Sequence, residues 1–133
     1  MTGTLPTGGT ERGIGGIAGS LTTNSAAVKT LTNSAAVTGN RSVGGIAGYF
    51  SGKDQATGKD MSDCKNEGLI LSSTAADDHS LAGHYIGGIV GYAKNVVLQD
   101  CTSSAGRGRL TFAGTSADQR KYLIGRYVGG IVG

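Results

Sequence analysis

The chain has 133 residues, enough for one small domain, and its net charge of +3 is too weak and too scattered for a nucleic-acid interface. Charged residues make up 16% and aromatic residues 5%, and 25 residues are glycine, a balance that argues against an ordinary cytosolic protein. No basic-then-apolar signal peptide follows Met1, so we interpret the chain as a piece excised from a longer protein.

Residues 1–12 form a Gly- and Thr-rich leader that holds the only proline, and we predict it to be partly disordered except where it docks on the following residues. Between residues 13 and 133, a six-residue phrase recurs. It consists of a β-branched residue, two glycines, an isoleucine, then either alanine or valine, and a final glycine. Four copies in so short a chain indicate a single repeat domain. Its units begin near residues 13, 42, 85 and 127, and the copies occupy residues 14–19, 43–48, 86–91 and 128–133.

Three familiar motifs fit the phrase poorly. The first copy resembles a dinucleotide-binding fingerprint, but only this copy has the leading Gly13 and no helical pattern follows it. A membrane helix with Gly-x-x-x-Gly needs about 20 apolar residues, whereas His84 and Lys94 bracket the third copy closely. Glycine pairs beside β-branched residues are also poor formers of a soluble helix. We therefore predict a short β-strand in each copy.

The glycine pair within this strand admits two interpretations. Val43 and Ile46 are three residues apart, so plain alternation would place them on opposite faces with Ile46 buried. A bulge or bend at Gly44 and Gly45 would instead shift the phase and turn both apolar side chains inward. The same choice applies to Gly87, Gly88 and Ile89 in the third copy.

Two shorter phrases follow the glycine phrase in a fixed order. The first consists of an apolar residue, a polar residue, Asn or Asp, and then Ser or Cys, and it occupies residues 31–34, 61–64 and 98–101. The second is a short piece at residues 35–37, 68–71 and 109–112. Residues 51–59, 72–84 and 113–121 are loops by composition. We predict an all-β parallel β-solenoid of about three coils, with three short strands per coil and equivalent residues stacked in ladders. The predicted ladders are Ile17/Ile46/Ile89/Ile131, Leu31/Met61/Leu98, Val37/Leu69/Leu110 and the small residues Ser34/Cys64/Cys101.

This combination of phrases resembles the GLUG-motif repeats of bacterial surface and secreted proteins. Residues 88–91 and 130–133 match the first part of that motif, and Asp63-Cys64 and Asp100-Cys101 match the second. The resemblance covers about residues 13 to 133. It implies an extracellular or cell-surface location and a structural or adhesive role. Some GLUG relatives are immunoglobulin A-cleaving metallopeptidases, but the His-Glu-x-x-His of that subset is not found here, and the repeat itself offers no active site to transfer.

Candidate site residues are few. The loop residues Asp77, Asp78 and His79 could bind calcium or act in acid–base chemistry, although two adjacent carboxylates supply too few oxygens and a hydrated loop is the simpler interpretation. We expect Asp63 and Asp100, like Asn33, to cap turns with their side chains. We predict no catalytic residues, no bound metal and no cofactor.

Cys64 and Cys101 occupy the same repeat position and should stack on adjacent coils. A pair of free thiols, a disulfide and a metal site all remain open, since stacked Cβ atoms are usually too far apart for a disulfide and no further ligand pair accompanies them.

The expected function is that of a non-catalytic structural or adhesive module that displays variable loops to a host protein, cell-surface protein or glycan. The alternative is a polysaccharide-active β-helix enzyme or a glycan-binding domain. An open solenoid end would also permit self-association.

Overall fold

A computed structural model describes residues 2–3, 13–23, 27–39, 41–52, 60–72, 85–104, 110–112 and 127–133. Every element within these ranges is a β-strand, and the strands pair in parallel. The chain therefore winds as a parallel β-solenoid, as the repeats predict. Its strands are β1 (Thr2–Gly3), β2 (Ile14–Gly15), β3 (Ala18–Thr22), β4 (Val28–Lys29), β5 (Thr32–Asn33), β6 (Val37–Gly39), β7 (Val43–Gly44), β8 (Ala47–Ser51), β9 (Met61–Ser62), β10 (Lys65–Asn66), β11 (Ile70–Ser72), β12 (Tyr85–Gly87), β13 (Val90–Lys94), β14 (Leu98–Gln99), β15 (Thr102–Ser103), β16 (Leu110–Phe112) and β17 (Tyr127–Gly129).

Each coil follows the chain through three runs, which in the first coil are residues 14–22, 28–33 and 37–39. Each of the first two runs is interrupted by two residues, so a coil contains five short strands. Equivalent strands of successive coils pair with one another and form five parallel sheets of three or four strands. The strand order within each sheet is β1-β6-β11-β16, β15-β10-β5, β17-β12-β7-β2, β13-β8-β3 and β14-β9-β4.

The leader is described only at Thr2 and Gly3, which form β1. This strand pairs in parallel with β6, opposite Thr38 and Gly39, so this part of the leader does dock on the first coil. The rest of the predicted leader lies outside the described residues.

The isoleucine ladder of the glycine phrases is confirmed. The backbone N–H of Ile17 donates to the carbonyl of Ile46 (3.1 Å), Ile46 donates to Ile89 (2.9 Å), and Ile89 donates to Ile131 (2.9 Å). Ile46 and Ile89 are fully buried, whereas Ile17 is 44% exposed. The phrases thus lie one above another along the column, with the middle copies at its centre.

The second predicted ladder is wrong in the first coil. Met61 pairs with Val28 and Leu98, while Leu31 lies three residues further on, at the position of Cys64. The predicted row of small residues therefore contains Leu31 in place of Ser34, followed by Cys64 and Cys101.

The error has a backbone cause. Thr30, Asp63 and Asp100 share the equivalent turn position and have φ angles of 57°, 55° and 52°. Asp favours this left-handed conformation more than most residues, whereas a β-branched threonine rarely adopts it. Aligning Asn33 with Asp63 by residue type was therefore wrong, and Asn33 instead pairs with Asn66.

The third predicted ladder is displaced by one residue in the second coil. Val37 pairs with Ile70, which pairs with Leu110, and Leu69 is 38% exposed. A shift of one residue in a strand exchanges its two faces, so Ile70 is the residue that enters the core.

The glycine pair marks a bend, which decides between the two interpretations. Val43 and Ile46 are both fully buried, and the strand is interrupted at Gly45 and Ile46. The two side chains enter separate parts of the core. One cluster comprises Ile46, Ala47, Phe50, Met61, Cys64, Ile89 and Val90, and the other comprises Ile14, Val37, Val43, Ile70 and Ile86.

Candidate functional site

The glycine phrase folds back on itself. Tyr85 and Tyr92 flank the third copy, and their ring centroids are only 4.6 Å apart. Seven extended steps would separate these residues by about 23 Å, so the intervening residues form a tight arch. We call residues 14–19, 43–48, 86–91 and 128–133 the glycine arches.

The first and third glycines of the arch accommodate different close backbone approaches. In the second arch, a Cβ on Gly44 would overlap the carbonyl oxygen of Ala47, at the far side of the bend. A Cβ on Gly48 would overlap the backbone of Gly13 and Ile14 in the preceding coil. The phrase therefore requires glycine because the chain passes close to itself and to its neighbour.

The middle glycine faces a polar side chain inside the column. A Cβ on Gly45 would overlap the Asn66 side chain and the Gly88 carbonyl, and the equivalent glycines face Asn33 in the first coil and Ser103 in the third. Asn66 is fully buried. An internal row of polar side chains thus packs directly on the glycine arches.

The two asparagines of this row are well satisfied. The Asn33 side-chain amide donates to the Asn66 side-chain oxygen (2.8 Å) and to the Ala35 carbonyl (2.8 Å). Asn66 donates to the Gly68 carbonyl (3.0 Å) and accepts from the Gly68 N–H (3.2 Å). The turn cap predicted for Asn33 is confirmed, since its side chain also accepts from the Ala35 N–H (3.2 Å).

The turn aspartates adopt a left-handed backbone conformation. Asp63 and Asp100 are exposed and provide the left-handed turn residue. The Asp100 carboxylate accepts a hydrogen bond from the Gln99 side chain (3.0 Å).

Four tyrosines meet on the outer side of the arches, and we call them the tyrosine cluster. Tyr49 stacks on Tyr92 with centroids 5.5 Å apart and planes 4° apart, and Tyr85 stacks on Tyr127 at 4.9 Å and 7°. Tyr85 and Tyr92 join the two stacks edge to face, at 73°. The four rings form one continuous chain across three coils.

The exposed fraction of the rings differs along the cluster. Tyr49 is 5% exposed, Tyr85 and Tyr92 are half-buried, and Tyr127 is 49% exposed. In β8 and β13, Phe50 and Ala93 pack on the core between the outward-facing residues. Tyr92 and Lys94 are two residues apart on β13, so both project from the same outer face.

Charge is divided between the sides of the column. Within residues 13–23, 41–52, 85–97 and 127–133, the described arches and their flanking strands, the charged residues are the cations Arg41 and Lys94. Lys94 is exposed. The described acidic residues lie beside β9, β10 and β14: Asp60, Asp63, Glu67 and Asp100. The described cations Lys29 and Lys65 lie on β4 and β10 of the same side.

The buried Asp60 ties three coils together. Its carboxylate accepts from the Thr23 hydroxyl (3.1 Å) in the first coil and from the Val97 N–H (2.8 Å) in the third. Both carboxylate oxygens are thus used within the fold, which assigns Asp60 a structural role.

The two cysteines stack as predicted, and both are free thiols in the structure. The Cys64 thiol donates to the Ser62 carbonyl (3.3 Å), and the Cys101 thiol donates to the Gln99 carbonyl (3.4 Å). Burial raises the pKa of Cys64 above its ordinary value, so this thiol is neutral and unreactive at neutral pH.

The loop residues proposed from the sequence, Asp77, Asp78 and His79, lie outside the described residues. In the part of the chain that the structure describes, no group of three or more His, Cys, Asp or Glu side chains is arranged to hold a metal ion. The described ranges also contain no helix that is long and apolar enough to span a membrane.

The tyrosine cluster is the site that the sequence analysis missed. A signal was present: Tyr49 and Tyr92 directly follow the last arch glycine, and Tyr85 and Tyr127 directly precede the β-branched residue. Only the fold-back of the arch shows that these two positions are neighbours in space.

No protein-family description, no curated protein and no solved structure matches the chain.

Proposed function

We propose that this chain is a non-catalytic structural or adhesive repeat module of a GLUG-type bacterial surface or secreted protein. In this role the solenoid is a rigid support, and its variable loops bind a host protein, a cell-surface protein or a glycan outside the cell.

One observation carries this proposal: register survives insertions of very different length. Three residues connect β6 to β7, whereas 12 residues connect β11 to β12. Even so, Ile86 in β12 pairs with Val43 in β7, as Val43 pairs with Ile14. A column that keeps its register in this way can carry loops of varied sequence, because loop length costs little in closure entropy. Exposed loops on a rigid framework are also where recognition residues concentrate.

The test replaces residues 73–84 with Asn-Arg-Ser, the connector at residues 40–42 of the same chain. We expect the variant to retain its β-sheet circular dichroism and its cooperative unfolding while losing binding to targets found on arrays of extracellular proteins and glycans. Loss of folding would show that the loop is part of the column. Unchanged binding would show that this loop carries no recognition.

The runner-up, a polysaccharide-active enzyme, is tested on the same samples. We expect no release of reducing ends from uronic-acid polysaccharides. Turnover that disappears in Asp77→Ala or Asp78→Ala would replace the adhesive proposal with an enzymatic one.

A further inference from the structure

The tyrosine cluster is not required by the solenoid itself. Ser20 pairs with Tyr49, so a small polar residue occupies the equivalent position in the first coil. Similarly, Ser42 precedes Val43 just as Tyr85 precedes Ile86. The first arch thus forms with serine after it, and the second forms with serine before it. Four of the five tyrosines in the chain nonetheless gather here.

Among the described residues, an exposed cation lies beside the cluster. Lys94 projects from the same face as Tyr92, about 7 Å along the strand, and forms no ion pair with another described residue. Asp63, Glu67 and Asp100 lie beside other sheets. Asp60 is buried, and both of its carboxylate oxygens accept hydrogen bonds within the fold. Lys94 is therefore an exposed cation available to an acidic ligand.

We propose that the tyrosine cluster, together with Lys94, binds an acidic oligosaccharide, a sugar chain that carries carboxylates. The inference rests on the adhesive role proposed above and adds to the loops a second binding surface on the column, so binding of this ligand should survive the replacement of residues 73–84. The half-exposed ring of Tyr127 offers carbon surface to the C–H face of a sugar. Tyr85 and Tyr92 use ring faces in the stacks, so they support Tyr127 and contribute their edges and hydroxyls. Lys94 supplies the positive charge for a carboxylate.

A protein partner fits this surface less well. A stable protein interface covers about 800 Å² on each side with a continuous apolar centre. The other exposed large apolar residues that the structure describes lie elsewhere: Ile17 in the first arch, Leu69 before β11 and Val97 before β14. The cluster is thus a small aromatic surface with a polar rim, of the size that suits a few sugar rings.

The binding experiment uses the whole chain and its own fluorescence. The chain has no tryptophan, so its tyrosine emission reports mainly on the cluster. We would titrate oligogalacturonate and oligosialic acid as the two acidic probes, with methyl-esterified oligogalacturonate as the neutral match. Poly-glutamate provides carboxylates without sugar rings. Calorimetry would measure each Kd independently.

We expect at least one acidic oligosaccharide to bind and change tyrosine emission, with weaker binding of the neutral ester and of poly-glutamate. Tyr127→Ala should weaken binding about tenfold, a factor equivalent to about 1.4 kcal/mol, while the unfolding midpoint stays close to that of the parent chain. Lys94→Gln should weaken binding about threefold at low salt and less at high salt. Lys29→Gln is its matched control on another sheet and should have no effect.

Two results would overturn the inference: no binding of either acidic oligosaccharide, or equal binding by the parent chain and Tyr127→Ala. Equal or tighter binding of poly-glutamate would overturn the sugar assignment by indicating a merely electrostatic surface. None of these results contradicts the adhesive role, because that role is tested separately by replacing residues 73–84.

Discussion

Adding one methyl group at Gly45 should destabilise the column, whereas the same change at Gly130 should not. Both residues are the second glycine of an arch, and neither has a left-handed φ angle, so alanine is allowed by the backbone at both. The difference lies in their surroundings. A Cβ at Gly45 overlaps the Asn66 side chain and the Gly88 carbonyl, whereas a Cβ at Gly130 has nothing within 4 Å.

The magnitude follows from three contributions. Overpacking a buried site costs about 1–3 kcal/mol, and displacing the Asn66 side chain weakens hydrogen bonds worth about 0.5–1.5 kcal/mol each. Alanine offsets about 0.4–1 kcal/mol of this by restricting the unfolded chain. Gly45→Ala should therefore lower the free energy of unfolding by about 2–3 kcal/mol. Gly130→Ala should leave it unchanged or raise it by up to about 1 kcal/mol.

Urea unfolding followed by circular dichroism and tyrosine fluorescence would measure both values. The double variant Gly45→Ala/Asn66→Ala should cost less than the sum of its single changes, because the added methyl group then meets a shorter side chain. Equal effects of Gly45→Ala and Gly130→Ala, or strict additivity in the double variant, would refute the packing argument.

Three further changes test other parts of the column. Ile70→Ala should lower the free energy of unfolding by about 2–5 kcal/mol because Ile70 is fully buried, whereas Leu69→Ala should cost less than about 1 kcal/mol; similar urea midpoints would contradict the one-residue shift in register. Thr30→Asp should raise the free energy of unfolding by about 1 kcal/mol, since it relieves a β-branched residue of a left-handed φ; a lower urea midpoint would argue against strain at this turn. Because burial raises the pKa of Cys64, its folded thiol stays neutral while the unfolded one ionises, so stability should fall as pH rises above about 8.5. Unfolding measured from pH 7 to 10 should show a smaller fall in Cys64→Ala, and an equal fall in both proteins would contradict this assignment.

The solenoid could be predicted from sequence because its glycine arches depend on residue identity. A side chain would overlap the backbone or a buried amide at each glycine of the second arch, which are Gly44, Gly45 and Gly48. Glycine therefore recurs at these positions in every copy of the arch. Stacking of Ile46 on Ile89 then follows directly from matching the copies.

The shorter phrases could not be aligned as reliably because their turns depend on backbone conformation. The first coil has Thr30 where the later coils have Asp63 and Asp100, and all three adopt a left-handed φ. Residue type therefore aligned Asn33 with Asp63 and Asp100, and this displaced the predicted ladder of Leu31, Met61 and Leu98 by three residues in the first coil. At Leu69 and Ile70, two adjacent apolar residues gave no sequence signal for which of them faces inward.

The tyrosine cluster escaped prediction for a different reason. Tyr85 and Tyr92 are separated by a whole arch, and a phrase taken as a strand would hold them far apart. Once the arch is known to fold back, the two positions that flank it become one surface. Aromatic residues that were too few to form a core are then concentrated at a single outer site.

This placement separates the residues that build the column from those that distinguish one coil from another. The arch glycines, Ile46 and Asn66 face backbone or core, and changing them acts on folding. The positions that flank the arch accept serine or tyrosine without altering the pairing of β3 with β8 or of β8 with β13. Stacked tyrosine pairs contribute about 0.5–1.5 kcal/mol each, which a column with two buried clusters does not need to hold its register. Their concentration beside Lys94 is therefore better explained by a ligand than by the fold.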